Sequence, residues 1–469
     1  MLTDADQAFA DALALRGVTV KPAAPNYLEE PRDVYHGRPG FVALPSDTDQ
    51  VSEVVKACAA AGVGIQPYGG GTGLVGGQVS SEGPVPLIVS LERMNRVRAI
   101  YPEEDTIVLD AGVTVSEAQA AAEAAGRLFP VSYGSQDSAR IGGGLAVNSG
   151  GLNVLRYGMV RDVCLGIEAV LPDGSILNGL KRLRKDNTGY DLRHLLIGSE
   201  GTLGIITGAA MRLFPRPAQI ATAFLVVRDP GAAIALLTLF RQRAGEAVSA
   251  FELISRTNFD MMAETHPEAR QPFETFPEWA ILTELGTGPG ADPEEMMTAL
   301  FEDAFEAGLV SDGAVAQSGQ QRADFWHFRE TIPEANRRIG AIASHDISLP
   351  LSELAGFIAE APEAIAAIAP GRIACFGHLG DGNLHYNLFP QRGDTRDAYM
   401  ARSHDVSDLV HEMVVARGGS FSAEHGVGRK KVGELQRWGD PAKLAAMRAI
   451  KTALDPKGIM NPGAVLPLL

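Results

Sequence analysis

Pro67-Tyr68-Gly69-Gly70-Gly71-Thr72-Gly73-Leu74-Val75-Gly76-Gly77 is the stretch on which the reading of the fold turns. Glycines let backbone N–H groups approach an anion with no Cβ in the way, and a run of such groups forms a phosphate nest. Thr72 adds a hydroxyl donor. Gly71, Gly73 and Gly76 satisfy G-x-G-x-x-G, but the following QVSSEGPVP is no helix, so the Rossmann fingerprint fails on context. A Walker A loop fails too, because no Gly-Lys-Ser/Thr is present. Alone, the run reads as a surface loop.

Two further clusters change that reading. One runs through Gly134-Ser135, Ile141-Gly142-Gly143-Gly144, Asn148-Ser149-Gly150-Gly151 and Arg156-Tyr157-Gly158. The other is Gly198-Ser199-Glu200-Gly201-Thr202-Leu203-Gly204-Ile205-Ile206-Thr207. Three glycine-dense loops, all before Pro215, point to one long cofactor lying along backbone rather than to a single phosphate.

Around these loops strand-like and helix-like segments alternate. GIQPY, VPLIVSL and DTIVLDAGV read as strands. DQVSEVVKACAAAG, preceded by Ser46-Asp47 as capping residues, puts Val51, Val54, Val55 and Cys58 on one helical face. VSEAQAAAEAAG is a second helix ending at glycine. Glycine clusters thin out after RLFPRP, where a domain boundary is expected near Arg212–Pro217. Beyond it strands such as TAFLVV alternate with helices such as PEEMMTALFEDAFEAG. The texture is α/β or α+β.

The 469 residues carry 41 Lys+Arg against 57 Asp+Glu, a net charge of −16, which argues against nucleic acid and anionic membrane surfaces as partners. Apolar residues make up 45%, enough for sizeable cores. Cys58, Cys164 and Cys375 show no C-x-x-C spacing, so a reducing compartment is expected. The opening MLTDADQAFADALALRG reads as an amphipathic helix, not a signal or transit peptide, and AAIALLTLF is too short to cross a bilayer. The expected location is cytoplasmic, with no transmembrane segment.

The sharpest chemical signal is Cys375-Phe376-Gly377-His378-Leu379-Gly380-Asp381-Gly382-Asn383-Leu384-His385-Tyr386-Asn387. Asp381-Gly382 reads as a two-residue hairpin turn. Pairing outward from it sets His378 opposite His385, with Cβ atoms about 5 Å apart, and Asn387 on the same face. Two imidazoles there suit a metal ion. Ser422-Ala423-Glu424-His425 supplies a carboxylate and another imidazole. His378, His385 and Glu424 would form a two-His, one-carboxylate site with open positions, leaving His425 as base. His36, His194, His266, His404 and His411 read as ordinary surface or core residues.

The motifs PYGGGTG, IGGGLAVNSGG, RYG and GSEGTLGIIT, with the carboxy-terminal Asp455-Pro456-Lys457-Gly458-Ile459-Met460-Asn461-Pro462-Gly463, resemble the FAD-binding flavoproteins of the vanillyl-alcohol oxidase type, in family order from about residue 35 to the end. The resemblance implies an α+β protein. A two-part FAD-binding domain would join an α+β substrate (cap) domain with an antiparallel sheet. The expected division is 1–35 as a helical segment, 36–215 for FAD, 216–425 for substrate and metal, and 426–469 completing the FAD site. It also implies cofactor contacts from Pro67, Gly69, Gly70, Gly71, Thr72, Gly73, Gly134, Ser135, Ile141, Gly142, Gly143, Asn148, Gly150, Gly151, Tyr157, Gly158, Glu200, Gly201, Ile205, Ile206 and Asn461. The first loop has no histidine for a covalent tether, so non-covalent FAD is expected.

Within that family the His and Glu-His motifs resemble the D-2-hydroxy-acid dehydrogenase branch, which includes D-lactate and D-2-hydroxyglutarate dehydrogenases. The resemblance implies zinc or manganese on His378, His385 and Glu424, and His425 as proton acceptor. Trp326-His327-Phe328-Arg329-Glu330-Thr331-Ile332-Pro333 resembles the branch's W-x-x-R-E-x-I-P segment and points to Arg329 as carboxylate clamp, a role its planar fork suits. Read without the resemblance, Arg329 could equally pair with a nearby acid. Ser344 stands where many 2-hydroxyglutarate-type members carry lysine, which keeps lactate and other 2-hydroxy acids open. The implied reaction passes hydride from C2 of the substrate to flavin N5, with Arg329 and Asn387 orienting the acid. Alternatives are an oxidase using O₂, a non-redox transferase of the same fold, and a metal hydrolase with a nucleotide. A downstream acceptor, electron-transfer flavoprotein or quinone, is expected, and a homodimer is left open.

Overall fold

The structure, a computed structural model, describes residues 2–468. The chain forms two compact units. One comprises Met1–Gly151, Tyr157–Arg216 and Glu424–Leu469; the other comprises Leu152–Arg156 and Pro217–Ala423. The division at Arg216–Pro217 falls within the RLFPRP stretch.

The first unit contains a two-stranded sheet, Arg127–Leu128 with Phe214–Pro215, and two larger ones. In the smaller of these two, Phe41–Leu44, Leu87–Ser90 and Ile65–Tyr68 run parallel, with Thr19–Pro22 antiparallel at the edge. The larger is antiparallel, in the order Val97–Tyr101, Thr106–Asp110, Ile205–Arg212, Cys164–Val170, Ile176–Gly179. The helix Thr48–Ala61 starts where Asp47 accepts the Gln50 N–H and ends at left-handed Gly62. It buries Val51, Val54, Val55 and Cys58 completely, because apolar residues at that spacing share one face. The opening helix Gln7–Ala14 buries Leu13 in the same core, so residues 2–35 belong to this unit and do not stand apart.

The second unit is built on one antiparallel sheet, in the order Val310–Val315, Gln219–Val227, Trp279–Thr287, Val248–Ser255, Arg372–His378, Asn383–Phe389, Ala343–Ser348. One face packs on the helices Pro230–Ala244, Pro293–Glu306 and Leu351–Ala366 through Leu236, Met297 and Phe357. The other face meets Arg256–Thr265 and Gly319–Ile339 through Phe259, Phe328 and Ile332. Val248–Ser255 lies at the centre with all eight residues buried, as a strand covered on both faces must be. Among the described residues all three cysteines are free and buried, and no helix is long and apolar enough to cross a membrane.

Candidate functional site

The first glycine loop leaves the Ile65–Tyr68 strand with its carbonyls turned inward. Gln78 Nε2 donates to Gly71 O and Gly73 O, and Arg429 Nη1 donates to Gly76 O (3.0 Å) and Gly77 O (2.9 Å). The N–H groups of Gly69 through Gly77 make no hydrogen bond to the described residues. Inward carbonyls with uncommitted N–H groups are the polarity a pyrophosphate needs. A Cβ on Gly70 would collide with the Ser138 carbonyl. Gly69 stands back to back with Gly143: its ideal Cβ lies 3.3 Å from the Gly143 Cα. Gly201, at φ +72°, leaves room for Pro67, whose Cγ would be 2.7 Å from a Cβ there.

The carboxy-terminal motif closes this cradle. Ile65 N–H donates to Ile459 O, and Asn461 N–H donates to Ile65 O. Asn461 Nδ2 bonds Glu200 O (2.8 Å) and Gly77 O (3.1 Å), while its Oδ1 accepts from Arg429 Nη2 (2.9 Å). Glu200 and Asn461 both have positive φ, 52° and 41°, a cost held in place by these bonds. The Glu200 carboxylate accepts from Val427 N (2.7 Å) and Gly428 N (2.8 Å). Burial raises its pKa, against the pull of those two bonds and of Lys431 and Arg429. Behind the motif, Lys451 Nζ joins Thr202 O (2.8 Å), Met460 O (2.8 Å) and the Asp455 carboxylate (2.5 Å).

Of the expected cofactor residues, Pro67, Gly69, Gly70, Gly71, Thr72, Gly73, Gly142, Gly143, Glu200, Gly201 and Asn461 gather around this cradle. Ile205 and Ile206 open the strand that follows it. Ile141 is the buried start of the helix Ile141–Val147, and left-handed Asn148 ends that helix. Gly151 is tight against Ser132, and Tyr157 packs on Phe214, 4.7 Å between ring centroids, just before left-handed Gly158. Gly150 is half-buried beside Gly151, whereas Gly134 and Ser135 are exposed. Arg429 escaped the sequence reading; its only signal was that it opens the basic run Arg429-Lys430-Lys431, after Gly426-Val427-Gly428.

In the second unit the strand registers put a set of polar groups on one sheet face. Glu252 pairs with His378, Phe376 with His385, Asp346 with His385, and Ser344 with Asn387. Directly paired residues share a face, and so do residues two apart. His378 is therefore not opposite His385. Leu379–Asp381 forms a 3₁₀ turn and Gly382 is left-handed at φ 85°, so the connection is longer than a two-residue hairpin. The slip is two residues, which preserves the face, and the two rings lie 5.8 Å apart, nearly perpendicular.

Glu252 is the hub of this face. It is 1% exposed. Its Oε1 accepts from His378 Nδ1 (2.7 Å), and its Oε2 accepts from Arg329 Nε (2.8 Å) and Nη2 (2.6 Å). Arg329 thus does pair with an acid, from a neighbouring strand. Its guanidinium also lies 4.9 Å from the Phe376 ring centre. Burial would raise the Glu252 carboxyl, but the pull of His378 and Arg329 outweighs it and holds it well below the usual carboxylate range. Pro333, one turn on, removes the helical N–H that would bond the Arg329 carbonyl. Asn387 is buried, with Oδ1 accepting the His345 N–H at 3.1 Å.

Asp346 accepts from Asn383 Nδ2 (3.0 Å), and its carbonyl receives the Ala423 N–H (3.2 Å). Glu424 and His425 follow Ala423 directly. Asp346 lies opposite His385 on the neighbouring strand, so a carboxylate and an imidazole share this face. Asp346 was passed over in the sequence reading. The signals missed were an aspartate within the strand Ala343–Ser348 and a lone glutamate inside the apolar VSAFELIS.

Residues 39–179 match the FAD binding domain family, and residues 216–465 match the C-terminal domain of the FAD linked oxidases. The chain belongs to the FAD-linked oxidases. Among this FAD-linked oxidase's relatives is the mitochondrial D-2-hydroxyglutarate dehydrogenase of Arabidopsis thaliana, 35% identical over 435 residues, covering 92% of this chain and 76% of the relative. That of Bos taurus is 37% identical over 427 residues, covering 90% and 76%. The D-2-hydroxyglutarate dehydrogenase of Xanthomonas citri pv. viticola is 34% identical over 445 residues, covering 92% and 93%. Solved structures of similar fold include an alkyldihydroxyacetonephosphate synthase (TM-score 0.73, 19% identity, 98% of this chain and 86% of that one). Another is p-cresol methylhydroxylase (TM-score 0.72, 17% identity, 91% and 89%). The expected FAD-binding α+β architecture is borne out, and this FAD-linked oxidase is an FAD-dependent oxidoreductase.

Proposed function

We propose that this oxidoreductase converts a D-2-hydroxy acid to the 2-oxo acid, with D-2-hydroxyglutarate the first substrate to try. The support that weighs most is the set of relatives bearing that activity in their names at 34–37% identity over at least 90% of this chain. When bound, FAD would supply the acceptor for the hydride leaving C2, and a divalent ion, zinc or manganese, the Lewis acid at the C2 hydroxyl.

FAD would be held without a covalent bond by the loop Gly69–Gly73 and by Gly142, Gly143, Glu200, Gly201 and Asn461. His378, His385 and Glu424 would hold the metal, with Asp346 a further carboxylate at hand; imidazole and carboxylate donors suit either ion. His425 would take the C2 hydroxyl proton on a ring nitrogen. Arg329 would grip a substrate carboxylate through the guanidinium edge not given to Glu252, and Asn387 would help orient the acid. Ser344 shares the face of Asp346 and Asn387, where it would meet the distal end of a longer acid. Electrons would leave to an electron-transfer flavoprotein or a quinone. The buried, unpaired cysteines are compatible with a cytoplasmic setting.

The test is anaerobic mixing with matched D- and L-2-hydroxy acids while flavin absorbance is followed. Bleaching by D-acids alone is the expected result. His425→Asn should keep the flavin spectrum and slow bleaching by about 10²–10⁴-fold. Bleaching by L-acids alone, or an unslowed His425→Asn, would overturn the respective assignment.

A further inference from the structure

Glu252 is a carboxylate that neither the relatives' names nor the proposed reaction assigns. It sits at the centre of the second unit's sheet, where a charge is costly unless paired. Both its oxygens are used, one by His378 and one by Arg329. These two partners have different proposed tasks, metal ligation and substrate binding. A carboxylate receiving Nδ1–H of a neutral imidazole fixes the tautomer and leaves the ring's lone pair on Nε2, the nitrogen then able to ligate. The same carboxylate takes Nε and Nη2 of Arg329, which sets the plane of the guanidinium.

We infer that Glu252 is a positioning residue that orients His378 for the metal and Arg329 for the substrate carboxylate, so that metal affinity and substrate affinity depend on one side chain. The inference rests on the reading of His378 as a ligand and Arg329 as the carboxylate clamp. Its neighbours on the sheet agree with it. Glu252 pairs with His378 in register, and the helix bearing Arg329 packs on that same face.

The experiment uses the full-length, FAD-loaded protein. Zinc affinity is measured by competition with a chromogenic chelator, and KM and kcat for D-2-hydroxyglutarate are measured at saturating zinc. Glu252→Gln should weaken zinc by 10–100-fold, in the range typical for loss of a partner behind a ligand histidine. At saturating zinc its KM should rise at least tenfold, with a smaller change in kcat. The flavin spectrum should stay intact, because the FAD cradle uses none of these residues. Glu252→Asp keeps the charge at shorter reach and should recover part of the zinc affinity; it also serves as the test variant if Glu252→Gln does not fold. Unchanged zinc affinity together with unchanged KM in a folded variant overturns the inference. If the wild-type protein itself binds no zinc or manganese, and no D-2-hydroxy acid bleaches its flavin, the functional reading fails first, whatever the variants do.

Discussion

Arg429→Ala should loosen the grip on FAD without removing any residue of the glycine loop. Arg429 makes four hydrogen bonds, to the carbonyls of Gly76 and Gly77 on one side and to Asn461 Oδ1 (2.9 Å) and Pro462 O (3.1 Å) on the other. Burial brings its guanidinium pKa down to about 10, so it is still a cation at neutral pH. At a net ~1 kcal/mol for each bond, the clamp contributes about 4 kcal/mol. If all of that energy orders the loop for the cofactor, FAD affinity falls about a thousandfold; if half does, about thirtyfold. Arg429→Lys keeps the charge but lacks the fork, so its loss should be smaller. The assay is titration of the apo-protein with FAD, read by flavin fluorescence, with thermal unfolding alongside. Wild-type FAD affinity in Arg429→Ala would refute the view that the loop is held from behind by this side chain.

Lys451→Met should destabilise the first unit by about 3–5 kcal/mol, because it strands the buried Asp455 carboxylate; Lys451 and Asp455 are 7% and 1% exposed. Urea unfolding followed by flavin release would measure it, and an unmoved midpoint would contradict it. Gly70→Ala should yield protein poor in FAD, since its Cβ meets the Ser138 carbonyl, a backbone atom that cannot swing aside; a full flavin complement would show that the loop relaxes. Burial, helped by repulsion from Arg32 and Lys431, lowers the Lys430 pKa to about 8 from the usual 10.5. Between those pH values the native state binds fewer protons than the unfolded chain, so this group adds stability as pH rises through the window, and below pH 8 it subtracts. Lys430→Met should remove that slope, visible as the difference between the two proteins in denaturation midpoints from pH 7 to 10.

Much of this molecule was legible from residue pattern. Helix spacing found Val51, Val54, Val55 and Cys58, because a helix buried on one side has a strict period. Glycine loops announced the cradle, since close backbone approach leaves no other residue type. The His378–His385 register was misread because the dipeptide Asp-Gly fits both a two-residue hairpin and the end of a 3₁₀ turn, and only pairing with the Val248–Ser255 strand decides between them. Glu252 and Asp346 were missed for a related reason. An acid inside an apolar strand gains meaning only from partners 126 and 77 residues away in one case and from an imidazole on the neighbouring strand in the other. Arg429 serves the glycine loop across 352 residues of sequence, and no local window can see that.

The bond from Asn461 to Gly77 spans 384 residues. On a ribosome the glycine loop is therefore made long before its last support exists. At about 5–20 residues per second, the nascent loop waits roughly 20–80 s for the tail that completes it. Meanwhile the whole intervening unit, Pro217–Ala423, has emerged and can fold. Flavin capture is thus a late event in the life of each molecule, and chains that lack Asn461 should be largely folded yet colourless.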